Sequence, residues 1–396
     1  MPARSRTFDD RTLVAGSYVR TTLPASSLSR TRNVGLRGTC DDFIGNRDGA
    51  NAFLSNQTRF DTMYLDGEHT RGYEFGRFQN YPIDWSGSFP SPLVGYPNLT
   101  VAEKTAFGNR TLAESNVSNP HVNVPAFIAE LKDLPSLVKD WGGGLITKAA
   151  KGYISWRWAV KPMIGDLRKL CDFTGAVNKR IRLLETLREK RNIRKRVNLR
   201  SQERVVRAAT RTSLHSSSGV SYSAYRDIWY TDDVWGTTQW RLAPGVNIPK
   251  DSQALRNQAW LLTFGITTFG ALQTAWELTP WSWFVDWFAG VGDFLEAHNN
   301  SIPCDPISTC IMHRRTAKSS YREPTGVLGN YQISGSLVED VVRKERFVVS
   351  PNSLPPLELP FLTESQWSIL GALAAVRDPV IWAGPAKRRV TKRARR

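Results

Sequence analysis

The sequence predicts an α+β protein in which a discontinuous helical bundle stands beside an extended antiparallel β-sheet region. Two observations predict it. Apolar residues alternate with a period of two in three separate stretches, and between those stretches they recur at three- and four-residue steps. The two kinds of stretch are also segregated into runs instead of interleaving as β-α-β units.

Taken in order, the first 120 or so residues read as strand and loop. Phe60, Thr62 and Tyr64 alternate up to Asp66-Gly67, and Tyr73 and Phe75 alternate after it, so Asp66-Gly67 is predicted to be a hairpin turn. Helical signal begins near Pro125, is interrupted at Pro135 and breaks at Gly142-Gly143-Gly144. A helix follows over Tyr153–Leu187, kinked or divided at Pro162. From Ile193 to Arg241 the period returns to two, with Ser216-Ser217-Ser218-Gly219 as the tip of a long hairpin. Asp251 is placed to N-cap a helical stretch that runs to about His298 with breaks. Strands resume over Ile307–Val349, and a short helix spans Glu364–Val376. The expected division is a β region of 1–122, 192–250 and 300–360, a helical region of 123–191, 251–299 and 361–380, and a tail of 381–396.

The chain of 396 residues carries 53 Lys+Arg against 36 Asp+Glu, a net charge of +17. Lys148–Arg211 holds 19 Lys/Arg and 5 Asp/Glu, net +14, and Lys387–Arg396 holds 7 Lys/Arg and no acid. The rest of the chain is therefore slightly acidic. Concentrated positive charge is the footprint of a polyanion binder. On the predicted helix, Arg157, Lys161, Arg168, Lys179, Arg182 and Lys190 fall within a sector of about 80° at about 100° per residue. These six are the first candidates for phosphate contact on a nucleic acid. Arg191, Arg194, Lys195 and Arg196 come next, then the tail residues Lys387, Arg388, Arg389, Lys392, Arg393, Arg395 and Arg396.

Chemistry beyond binding is thinly signalled. No nucleophile elbow, P-loop or His-Glu-x-x-His occurs. His298, Cys304, Cys310 and His313 are spaced too widely for a usual zinc site, so neither a metal nor any other cofactor is expected. A disulfide between Cys304 and Cys310 stays open at this point. Asp286 and Asp293 lie seven apart on a predicted helix, but among aromatics that favour a structural role. The first residues have no apolar run of a secretory leader. Asn257–Trp276 lacks charge yet is too rich in Gln, Thr and Gly for a good membrane span, so no obligatory span is expected.

Two blocks carry a family resemblance. Trp276-Glu-Leu-Thr-Pro-Trp-Ser-Trp-Phe-Val-Asp-Trp-Phe-Ala-Gly-Val-Gly-Asp293 resembles the W-E-x-x-P-x-S-F-V-V-D-W-x-x-x-V-G-[DN] signature of the maturation proteins of single-stranded RNA bacteriophages. Its matching positions include Trp276, Pro280, Asp286, Trp287, Gly292 and Asp293. The block from Tyr153 to Leu167 is similar to the family segment ending in G-x-x-P-[LM]-x-x-D, with Pro162 and Asp166 matching and Ala159 in place of the family glycine.

The resemblance implies an elongated, non-enzymatic virion protein, made in the host bacterial cytoplasm and present as one copy inserted in the capsid shell. Its partners would be the viral genomic RNA, notably hairpins near the 3′ end, the phage coat protein and a host pilus through its pilin. The helical region would face the genome, and the β region would project outward for attachment and genome entry. The rival readings are a membrane-active or lysis protein using Asn257–Trp276, and a nucleic-acid-processing enzyme using Asp286 and Asp293.

Overall fold

A computed structural model describes residues 3–20, 26–44, 51–71, 74–83, 89–121, 153, 173–217, 220–264, 301–327, 330–350 and 368. Among these, the strands are β1 (Ala3–Arg20), β2 (Ser26–Phe43), β3 (Phe53–Arg71), β4 (Glu74–Ile83), β5 (Asn192–Val206), β6 (Arg211–Ser217), β7 (Val220–Leu242), β8 (Cys304–Val327) and β9 (Gln332–Val349). The helices are α1 (Pro92–Gly95), α2 (Val101–Ser115), α3 (Phe173–Lys190) and α4 (Ser252–Thr263).

All nine strands belong to one sheet of order β2-β1-β4-β3-β9-β8-β7-β5, with β6 also on β7 and β2 also on β3. The pairings β2–β1, β1–β4, β4–β3 and β3–β2 close a ring. Along one edge of β3, β2 pairs with Leu54–Phe60 and β4 takes over from Met63 to Arg71. Closure satisfies strand edges that would otherwise be open to foreign strands.

This corrects the expected fold class. The described chain is mostly β, a barrel-like ring with further strands attached, and not a helical bundle beside a sheet. The strand content was hidden because β1 and β2 pair over 18 residues each as a largely exposed ribbon. A ribbon solvated on both faces needs no apolar alternation. The N-terminal region also contains a helix where only strand and loop were expected. α2 starts with a complete capping box: Glu103 N–H donates to Thr100 Oγ1 at 3.2 Å, and Thr100 N–H donates to Glu103 Oε2 at 2.8 Å.

Asp66-Gly67 is a second correction. β3 runs through it to Arg71, and the register with β4 shifts between Leu65 and Gly67. Gly67 has φ +131°, and a Cβ there would lie 2.9 Å from both Asn330 O and the Tyr331 ring, so it makes a bulge that only glycine fits. The hairpin near Ser217 does form, with β6 and β7 paired out to Ser217↔Val220. Asp251 caps α4 as expected, accepting from Ala254 N–H at 2.8 Å. Cys304 and Cys310 are both buried in β8 as free thiols.

The chain folds into two compact units. The first comprises Met1–Thr111, Arg194–Gln239 and Ile307–Asn352. One of its cores gathers Tyr18, Leu65, Phe78, Leu214, Tyr222 and Tyr331. Phe78 is its hub, with ring centroids 4.4 Å from Tyr18, 5.1 Å from Tyr81 and 5.3 Å from Tyr331. Further along the sheet, α1 and the first turns of α2 cover one face. A Cβ on Gly236 of β7 would lie 1.9 Å from Thr111 Oγ1.

The second unit comprises Leu112–Ile193, Trp240–Pro306 and Ser353–Arg396. Its core packs α3 through Leu184 and Leu187 and α4 through Leu255, Ala259 and Leu262, around Trp240 and Leu242. The Trp240 indole N–H reaches Ser115 Oγ at 3.1 Å, so the polar edge of this large buried ring has its partner. No helix among the described residues is long and apolar enough to cross a membrane, and α4 ends at Thr263 inside the uncharged window.

Candidate nucleic-acid interface

The sequence of α3, FTGAVNKRIRLLETLREK, places Ala176, Leu184 and Leu187 on its buried side. That burial turns Lys179, Arg182 and Lys190 outward, where all three are exposed. Arg188 and Lys190 lie in the last turn, where cations complement the negative end of the helix dipole.

The remaining cations of this segment have structural work. Arg180 is largely buried and donates to the carbonyl oxygens of Val117 and Asn119. Burial pushes its guanidinium down to about 10. Arg188 donates to Pro249 O at 3.1 Å. Arg191 ends the helix at φ +58°, its N–H bonded to Leu187 O at 3.0 Å. Its guanidinium grips Val246 O at 2.9 Å and Ala243 O at 3.2 Å. Arg191 thus fastens the helix end to the loop after β7, although its side chain is exposed.

β5 continues the basic run. Val197 is buried and Lys195 half-buried, whereas Arg194 and Arg196 are exposed. The Arg196 guanidinium carbon sits 4.6 Å from the Trp235 ring centroid, a cation–π stack on β7. The structure therefore brings Lys179, Arg182 and Lys190 to one helix face, and Arg194 and Arg196 to one strand. Arg157, Lys161, Pro162, Asp166, Arg168, the whole Trp276–Asp293 block and the tail from Lys387 to Arg396 lie outside the described residues.

A further polar constellation was not foreseen. Asp232 of β7 and His313 of β8 are hydrogen-bonded and wholly buried. Arg200 of β5 donates to Asp232 Oδ2 at 2.8 Å. His313 Nδ1 lies 3.9 Å from Glu345 of β9, which also binds Arg315 and, at 2.7 Å, Arg343. Burial alone would raise the Asp232 carboxyl, but the His313 hydrogen bond and the Arg200 charge hold it below its ordinary range. An Asp–His pair can support acid–base chemistry only where a substrate reaches it. This one is sealed beneath α1 and α2, with Arg315 donating to Tyr96 O at 3.2 Å and Asn98 Oδ1 at 2.9 Å. It holds four strands together. Sequence reasoning missed it because charged residues alternating along a strand usually mark the solvent face, and only the tertiary fold turns this set inward.

Comparison with known families adds the remaining observation. Residues 147–315 match the model of a family described as phage maturation protein, and both motif blocks fall inside that match. No curated protein matches the chain. Within the matched residues lie the exposed cations of α3 and β5, so over residues 147–315 the chain is similar to the phage maturation proteins, a likeness that supports a virion-associated role.

Proposed function

We propose that this protein is a maturation protein, a minor, non-enzymatic component of the virion that binds the genomic single-stranded RNA inside the capsid, near its 3′-end hairpins. In this reading it sits as a single copy among coat proteins, is made in the host bacterial cytoplasm, and attaches the particle to a host pilus for genome entry. The observation that carries the RNA assignment is the division of labour on α3. One face is core, the opposite face presents Lys179, Arg182 and Lys190, and the segment around it is the most basic long stretch of the chain.

RNA would be held mainly through backbone and shape, since the A-form major groove excludes side chains. Pilus attachment is assigned to the hairpin turns of the strand-built unit, with Ser213–Gly219 as the candidate, because hairpins present their turns outward.

The test is RNA binding by the full chain across a salt series. Lys179→Ala with Arg182→Ala is expected to flatten the log–log salt slope by about 1.4, roughly 0.7 per lost single-strand phosphate contact. An unchanged slope overturns the helix assignment. For attachment, virions with serines 216–218 replaced by Asp are expected to adsorb more weakly to piliated cells, and unaltered adsorption removes that turn from the proposal.

A further inference from the structure

The β8–β9 register places two pairs of like charges directly opposite each other, one on each face of the sheet. Arg315 faces Arg343 on the face covered by α1 and α2. There the repulsion is resolved, because both guanidinium groups hold Glu345. One step along, on the other face, Arg314 faces Lys344. Arg314 is exposed and Lys344 half-exposed, and no carboxylate among the described residues pairs with either. Like charges directly opposite destabilise a sheet. The covered pair has its anion in Glu345, whereas among the described residues the open pair has no ion-pair partner, Asp233 of the same face accepting instead from Ser201 Oγ at 2.7 Å.

The open pair belongs to a wider band. Arg346 shares its face, two residues on from Lys344, and is opposite Met312. Met312 Sδ accepts from Thr237 Oγ1 at 3.8 Å, which places odd-numbered β7 residues of this stretch on the same face. Trp235 is therefore there too, carrying Arg196 at 4.6 Å. β5, β7, β8 and β9 are neighbours in the sheet. At about 4.8 Å per strand, the cations span roughly 14 Å.

We propose that this band is a platform for single-stranded RNA, with Arg314 and Lys344 on phosphates and the Arg196–Trp235 stack beside them as a surface for a base. The proposal rests on the RNA-binding reading above and extends it from α3 and β5 onto the open sheet face. Charge alone would equally suit an acidic protein. The aromatic component favours RNA: Trp235 is joined by Trp229, which lies on the same face by strand alternation and is 46% exposed. The faces of such rings stack on unpaired bases, whereas a carboxylate gains only the indole N–H.

The experiment measures binding of the full chain to a single-stranded RNA of about 20 nucleotides, longer than the sites of about 4–16 nucleotides that single-strand folds occupy. It compares wild type, Arg314→Ser with Lys344→Ser, the charge-retaining Arg314→Lys with Lys344→Arg, and the α3 double variant. The serine variant is expected to flatten the salt slope by about 1.4, the charge-retaining variant to keep it, and both slopes to be independent of α3. If the α3 variant flattens the slope and the serine variant does not, the platform is overturned and the RNA-binding reading stands. If wild type does not bind RNA, both fall. If the serine variant loses poly-glutamate binding and keeps RNA binding, the face is an acidic-protein surface and the proposal fails. Should the serine variant melt early, photo-crosslinking of wild type to 4-thiouridine RNA decides: adducts on Trp235, or on peptides of β8 and β9, support the platform, and their absence overturns it.

Discussion

Asp232 and His313 are hydrogen-bonded to each other at the centre of a four-strand ionic chain, and neither side chain is reached by solvent. Because Arg200 shares the same carboxylate, removing it leaves the buried imidazole without its hydrogen-bond partner and Arg200 with Glu103 at 3.5 Å as its remaining anion. Asp232→Asn is expected to cost about 3–5 kcal/mol, the usual loss when one partner of a buried pair is deleted. Urea unfolding measures it as a lower midpoint at unchanged slope.

The pH response of stability has two opposing parts. Asp232 is held low in the folded protein, so its contribution is complete above the unfolded value near 3.9 and is lost as pH falls through the folded one. Glu339 is raised by burial, which outweighs its contacts with Arg226, Ser319 and Tyr321. The folded state therefore holds this proton more tightly, and stability declines as pH rises from about 4.3 through its folded value. Urea midpoints across pH are expected to show the acid limb flattened in Asp232→Asn and the decline above about pH 4.3 flattened in Glu339→Gln. A profile unchanged by either substitution contradicts the assignment.

Arg180 is expected to behave as a structural residue despite lying amid candidate RNA contacts. Arg180→Ala strands the carbonyls of Val117 and Asn119 and is expected to cost about 2–3 kcal/mol. Arg180→Lys is expected to recover little, because an ammonium lacks the planar fork that serves two acceptors. By contrast, Lys179→Ala is expected to stay within about 0.5 kcal/mol of wild type. Thermal unfolding of the three variants separates the two roles.

Gly236→Ala is expected to be destabilising by about 1–3 kcal/mol, since the new methyl overlaps Thr111 and must lift α2 from β7. The double variant with Thr111→Gly is expected to recover part of that loss, less the helix-propensity cost of about 1 kcal/mol for glycine. A double-mutant cycle measures the coupling.

The described helices of the second unit were legible because their signals are local. Asp251 announced a cap, and the apolar spacing of α3 announced which side would be buried. The capping box Thr100-Val-Ala-Glu103 was equally present in the sequence, and reading it would have located α2. The bulge at Gly67 was not separable from a turn, since Asp-Gly favours both and only the partner strand decides. The polar links of the first unit are set by pairings between segments far apart in the chain. Neither Arg200 nor His313 carries a local sign that Asp232 will lie between them. Lys179 and Arg180 show the limit for the candidate site: adjacent cations of similar chemistry, one solvent-facing and one buried, separated only by 100° of helix.

Phe53 of β3 pairs with Arg346 of β9, 293 positions later. At synthesis rates of about 5–20 residues per second, the first strand waits roughly 15 to 60 s for its neighbour to leave the ribosome. During that interval the β9-facing edge of β3 is a vacant template. Each newly made chain therefore passes through a window in which capture by another strand competes with self-completion, and the last third of the polypeptide decides whether the first third has folded to a lasting purpose.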